Sequence, residues 1–276
     1  GMTAWASGGG SGEVLRVTTD WAEVSVEVRG EGVPVLFIHG FPFDRTMWRH
    51  QLAALTGWKR IAFDLPGVGT STAPADGYSM ARYADTAVRV LDALGVRQAV
   101  VCGLSMGGYV VLELIRRHPE RLKAIVLADT RAEPDSAEAK RQRDELAALA
   151  EREGVRAVGE RLLPRVLARA TLAERPELVA EVRAMTSRWA VPGMVGALGA
   201  MRDRSDSTRT LGAIGVPTLV LVGAEDQVTP PAGAERMAAA IRGARFVTVP
   251  AAGHLAPLEQ PLAASRALVE FLESLS

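Results

Sequence analysis

The chain has almost no cysteine. Cys102 stands alone among 276 residues, so an internal disulfide and a cysteine-based zinc site are both excluded. The thiol lies inside an apolar run and reads as a small buried hydrophobe. Charge of one sign is also missing: 32 Lys+Arg balance 32 Asp+Glu. That excludes a global basic field for nucleic acid and a polybasic membrane signal. There is no run of about 18 apolar residues, so no transmembrane span is expected. Residues 1–12 are rich in glycine and serine, with no apolar core of a secretory signal. They are expected to form a flexible tail, and the protein is expected to be cytoplasmic. No internal repeat is visible. With 48% hydrophobic and 23% charged residues, what remains is an ordinary globular chain, long enough to bury a full core.

The pattern that is present alternates strand and helix. Residues 14–19 and 23–29 alternate apolar with polar and read as a half-exposed antiparallel hairpin at a sheet edge. Residues 33–38, 60–63, 99–102, 122–128 and 217–222 are continuously apolar or nearly so, as strands buried on both faces should be, and 245–249 is expected to be another buried strand. Helical patterns fall at 47–55, 79–94, 106–118, 232–241 and 262–275. This rhythm predicts an α/β fold with a parallel sheet between two helical layers, and ligands at the carboxyl ends of the strands. From 131 to 207 the rhythm breaks. No strand signal remains, and Pro164, Pro176 and Pro192 divide an Ala/Arg/Glu/Leu-rich stretch into short helices. This stretch is expected to be a helical cap over the sheet edge, inserted into a core of residues 13–130 and 208–276. Trp189, Met194, Leu198 and Met201 are candidates for a pocket roof, or else for the cap's own core.

The sequence turns on Gly103-Leu104-Ser105-Met106-Gly107-Gly108. A buried strand ends here and a helix begins. G-x-S-x-G in that context is the nucleophile elbow, a strained turn that lifts a serine hydroxyl above the sheet. Serine is a poor nucleophile at neutral pH and needs a base, which a third group must orient. Of the four histidines, His39, His50, His118 and His254, only His254 follows the last strand in a flexible loop. The acid is expected at Asp226, after the strand at 217–222, with Glu225 as the adjacent alternative and Asp129 as a third. An oxyanion needs preorganised donors. The N–H of Met106 at the helix start is one, and the N–H of Phe41 in His39-Gly40-Phe41-Pro42 is the other. His39 itself reads as a hydrogen-bonded loop pin. Arg131, just past the strand leading into the cap, could hold a substrate carboxylate through a bidentate pair.

On these residues, together with Asp64-Leu65-Pro66-Gly67-Val68-Gly69-Thr70-Ser71 and Gly253-His254, the chain resembles the α/β-hydrolase superfamily. The resemblance implies an eight-stranded, mostly parallel sheet with a lid after the sixth strand. It also implies an acyl-enzyme mechanism by Ser105, Asp226 and His254 without metal or organic cofactor. Serine at the elbow argues against haloalkane dehalogenases, which carry aspartate there. Within the superfamily the chain is most similar to 3-oxoadipate enol-lactonases, through Leu127-Ala128-Asp129-Thr130-Arg131-Ala132, Leu162-Leu163-Pro164 and His254-Leu255-Ala256-Pro257-Leu258-Glu259-Gln260-Pro261. The expected activity is hydrolysis of a small-molecule carboxylic ester or lactone. Cofactor-free perhydrolysis and a non-catalytic ligand receptor on the same fold are the alternatives.

Overall fold

The structure, a computed structural model, describes residues 2–6 and 12–275. One sheet of nine strands organises it, in the order β1-β2-β3-β5-β4-β6-β7-β8-β9. These are β1 (Met2–Ala6), β2 (Gly12–Thr18), β3 (Glu23–Arg29), β4 (Pro34–Ile38), β5 (Lys59–Phe63), β6 (Ala99–Leu104), β7 (Leu122–Ala128), β8 (Thr218–Gly223) and β9 (Arg245–Val249). From β5 through β9 every pairing is parallel, while β1, β2 and β3 join antiparallel. The eight strands β2–β9 answer the expected mostly parallel sheet. Three expectations need correction. Arg245–Val249, expected to be buried on both faces, is the far edge strand, and of its residues only Val249 is buried. Met2–Ala6, placed in a flexible tail by its composition, is a strand paired along its whole length with β2. The β2–β3 hairpin is therefore covered by a further strand rather than forming the edge. The remainder of that expected tail, apart from Gly12, lies outside the described residues.

The continuous apolar runs are explained by two covered faces. In β6, Ala99 and Val101 point into one apolar cluster, and Val100, Cys102 and Leu104 into the other. β4, β7 and β8 divide in the same way, with Leu36, Ile125 and Val220 on the first side and Phe37, Val126 and Leu221 on the second. Residues two apart share a face, so a strand sandwiched between helices must be apolar at every position. The first face is covered by α2 (Met80–Ala93), α3 (Met106–Arg117) and α9 (Pro231–Ala239), and the second by α1 (Arg49–Ala54), the short α10 (Ala256–Glu259) and α11 (Pro261–Glu273).

Between β7 and β8 lie α4 (Ala137–Glu153), α5 (Val155–Val166), α6 (Arg169–Glu174), α7 (Pro176–Ser187) and α8 (Val191–Arg202). They rest on loops at the carboxyl ends of the strands. Ala190 N–H donates to the Gly67 carbonyl and Gly69 N–H to the Arg188 carbonyl, each at 2.9 Å. Arg188 Nε reaches Asp44 Oδ2 at 2.6 Å. Gly67 and Gly193 approach so closely that a Cβ on Gly193 would stand 2.5 Å from the Gly67 Cα. No helix among the described residues is long and apolar enough to cross a membrane.

Candidate active site

β6 delivers Ser105 and α3 starts at the next residue. The serine backbone sits at φ 56°, ψ −113°, a left-handed conformation that costs of order 1–3 kcal/mol and persists only where neighbours enforce it. Here Ser105 N–H donates to the Ala128 carbonyl at 2.9 Å, and the Ser105 carbonyl accepts from Thr130 Oγ1 at 2.8 Å. The flanking glycines make room. A Cβ on Gly107 would lie 2.2 Å from the Ile38 carbonyl oxygen, and one on Gly40 would lie 3.2 Å from the Ser105 Cβ. Close passage of the β4 loop beside the elbow therefore requires both.

The loop after β9 brings His254 over the serine, with His254 Nε2 2.8 Å from Ser105 Oγ. On its other side Nδ1 lies 2.9 Å from Asp226 Oδ2 and 3.1 Å from Oδ1. A carboxylate can only accept, so Nδ1 carries the ring proton and Nε2 is left free to accept from the serine hydroxyl. All three residues are buried. Burial alone would raise the Asp226 carboxyl. The charge and hydrogen bond of His254 oppose that, with Asp129 and the Thr229 N–H, and hold it well below the usual carboxylate range. Val228 N–H and Thr229 N–H each donate to Asp226 Oδ1 at 2.9 Å, and Thr229 Oγ1 donates to Oδ2 at 2.8 Å. Glu225 is exposed. Asp129 lies beside Asp226, and its Oδ1 accepts from Gly223 N–H.

The His254 loop is fixed by a residue that reading the motifs one by one did not single out. Glu259 Oε2 accepts from Gly253 N–H at 2.8 Å and Leu255 N–H at 3.3 Å, on either side of the histidine. Its Oε1 accepts from Ala168 N–H and Thr171 Oγ1, both at 2.8 Å. One buried carboxylate thus ties the histidine loop to the start of α6. The signal was its position five residues after His254 at the end of a short apolar run. The N–H groups of Phe41 and Met106 have no acceptor among the described residues, and both residues border the serine. His39 donates from Nδ1 to the Gly40 carbonyl at 2.9 Å and accepts the Leu65 N–H at Nε2, pinning the loop that carries Phe41. His50 lies on α1, and His118 pairs with Asp85 at 2.7 Å.

A cavity of about 210 Å³ opens at Ser105 and His254, with Phe41, Tyr109, Arg131, Leu146, Arg165 and Met201 in its wall. Arg131 hydrogen-bonds the Val228 carbonyl. Of the expected roof residues, Met201 lines the cavity. Trp189, Met194 and Leu198 do not; they are packed into the core, with Trp189 Nε1 donating to the Phe43 carbonyl at 2.8 Å and its ring edge-on to Phe41. Tyr109, Arg143 and Arg165 also reach the wall. Tyr109 stands one helical turn beyond Ser105, a spacing that could have marked it. The arginines come from helices whose rotation the sequence leaves open. Among the described residues, Asp129, Asp226 and His254 are the one acid–histidine group close enough to hold a metal ion, and Asp226 and His254 are already hydrogen-bonded to each other.

The elbow serine, the histidine, the acid and two N–H groups without an acceptor among the described residues thus meet at one rim of the parallel sheet. Residues 33–261 match the alpha/beta hydrolase fold family, and the chain belongs to that family. It is 39% identical to a thermophilic esterase from Thermogutta terrifontis, solved with malate bound, over 95% of this chain and 98% of that one, with a TM-score of 0.90. It is 28% identical to the enol-lactonase of Burkholderia xenovorans LB400, over 94% and 99%, with a TM-score of 0.87. It is also 34% identical over 260 residues, 89% of this chain and 95% of the other, to a Mycobacterium tuberculosis protein provisionally named non-heme bromoperoxidase BpoC.

Proposed function

We propose that this protein is a serine hydrolase that cleaves small carboxylic esters or lactones through an acyl-enzyme. The observation that carries this reading is the unbroken chain from Ser105 Oγ through both ring nitrogens of His254 to Asp226, with steps of 2.8 and 2.9 Å. Ser105 Oγ attacks the carbonyl carbon while His254 Nε2 takes the hydroxyl proton. Negative charge builds on the carbonyl oxygen between the N–H groups of Phe41 and Met106, where one donor is worth about 3–4 kcal/mol of transition-state stabilisation. His254 then returns the proton to the leaving oxygen as the C–O bond breaks. In a lactone that oxygen stays tethered to the acyl chain. Water gives a proton to His254, attacks the acyl-enzyme and releases the acid, restoring Ser105. The helices α4–α8 act in this reading as the cap that closes the acyl pocket.

Substrate size and charge follow from the wall. A cavity of about 210 Å³ is below the ~300–1,000 Å³ of sites for drug-sized ligands, which favours a short acyl group. The wall carries Arg131, Arg143 and Arg165 against the single carboxylate of Asp135, which Arg143 and Arg204 already pair. The surplus positive charge favours a substrate bearing its own carboxylate, with Arg131 as the anchor. The likeness to an esterase and an enol-lactonase supports the same class. The test is a panel of p-nitrophenyl esters of rising chain length beside enol-lactone and γ-butyrolactone, each in neutral and carboxylate-bearing forms. Turnover should peak at short acyl chains. Arg131→Ala should cost about 10- to 100-fold in kcat/KM on the charged members alone, the worth of one charge-assisted hydrogen bond. Equal losses on charged and neutral substrates would remove the anchor. No turnover across the panel would remove the hydrolase.

The bromoperoxidase-named relative favours one second reading, in which hydrogen peroxide replaces water at the same acyl-enzyme and the product is a peracid. Peracid formation from acetate and hydrogen peroxide, absent in Ser105→Ala, would support it.

A further inference from the structure

β7 ends in a carboxyl group that the mechanism above leaves unused. Asp129 is fully buried, and its backbone sits at φ 45°, a conformation that a non-glycine residue keeps only under constraint. Its Oδ1 accepts one hydrogen bond, from Gly223 N–H at 2.8 Å. Its Oδ2 is buried with no donor to satisfy it. One oxygen of Asp129, one of Asp226 and a ring nitrogen of His254 all lie within 4.8 Å of one another. Two buried carboxyl groups this close do not both ionise.

Donor count decides which of them holds the proton. Asp226 receives Val228 N–H, Thr229 N–H, Thr229 Oγ1 and His254 Nδ1, and donors favour the charged form. Asp129 receives one. A proton on Asp129 also removes the anomaly at Oδ2, because the orphaned oxygen becomes a donor and Asp226 is the acceptor beside it.

We propose that Asp129 is a positioning residue: a neutral carboxylic acid that donates a hydrogen bond to Asp226 and so fixes the carboxylate that orients His254. This rests on the reading of Ser105, His254 and Asp226 as the reacting group. The electrostatics run the same way. Burial first, and then the Asp226 charge, push the Asp129 carboxyl well above the usual carboxylate range, and Glu259 from α10 adds to the push. Arg131, two residues along the chain, is turned to the Val228 carbonyl. The site therefore keeps a single negative charge beside His254, although two acids stand there.

The test uses the full chain and has two readouts. In infrared difference spectra at neutral pH, the wild type minus Asp129→Asn should contain the carbonyl stretch of a protonated carboxylic acid. This readout needs no turnover. In kinetics on the best ester, Asp129→Ala should lower kcat by about tenfold or more with KM little changed, the cost of unsatisfying a buried partner. Asp129→Asn, whose amide N–H can donate in place of the acid, should restore most of that loss, with the acid limb of the kcat/KM profile where the wild type has it. Three results would overturn the proposal. One is the absence of the acid band. Another is an acid limb that moves to lower pH by about one or more in Asp129→Asn, as loss of a real negative charge would cause. The last is Asp129→Asn falling about 10⁴-fold, the loss expected of an orienting acid, while Asp226→Asn stays active. If Ser105→Ala keeps full activity, the hydrolase reading fails, yet the infrared band still reports on Asp129.

Discussion

His39 shows how much a single side chain can be asked to do. It is fully buried, it links the Gly40 carbonyl to the Leu65 N–H, and it uses one ring nitrogen as donor and the other as acceptor. Only the neutral ring can do both. Burial, partly offset by Asp64 and Asp44, lowers its pKa below the ordinary histidine value. The folded state thus binds the proton less well than the unfolded chain does. Its contribution is fully present above about pH 6.5 and is lost as pH falls from there through the folded-state value. Thermal unfolding between about pH 7 and pH 5 should show a fall in Tm that His39→Asn flattens and His50→Asn leaves largely in place. An equal fall in all three proteins would contradict the assignment. The pin was legible in the sequence from its place between a buried strand and Gly40. The choice of Asp226 over Glu225 was legible as position only; burial of one and exposure of the other separate them.

At the scale of elements, the strands were easiest to read, because a sheet covered on both faces demands apolar residues at every position and β4, β6, β7 and β8 supply them. β1 was not legible. An edge strand needs little burial and makes its bonds through the backbone, so Met2–Ala6 carried no strong side-chain pattern. The roof was half legible: the helical spacing around Trp189, Met194, Leu198 and Met201 marks an apolar face, but not which members turn to the cavity. Trp189 turns to the Phe43 carbonyl instead. How α8 docks is itself testable. Gly193 meets Gly67 backbone to backbone, so Gly193→Ala should cost about 1–3 kcal/mol by overpacking, read as a lower midpoint in urea. It should also raise KM, since α8 carries the cavity residue Met201. An unchanged midpoint would show that the contact can yield.

At the scale of the whole molecule, chain segments far apart in sequence meet at one rim. Ser105 arrives on β6, Asp226 after β8, His254 after β9, and the Phe41 N–H after β4. Parallel strands put all these loops at the same edge, and the strained serine stands where they converge. On the reading proposed above, this convergence makes Ser105 a nucleophile. The most direct measurement is the intact mass of the protein after exposure to a fluorophosphonate, followed by location of the adduct on its peptides. One stoichiometric adduct should form, on Ser105, slowed strongly in His254→Ala and absent in Ser105→Ala. An adduct that persists in Ser105→Ala, or a wild-type protein that takes up none, would contradict it.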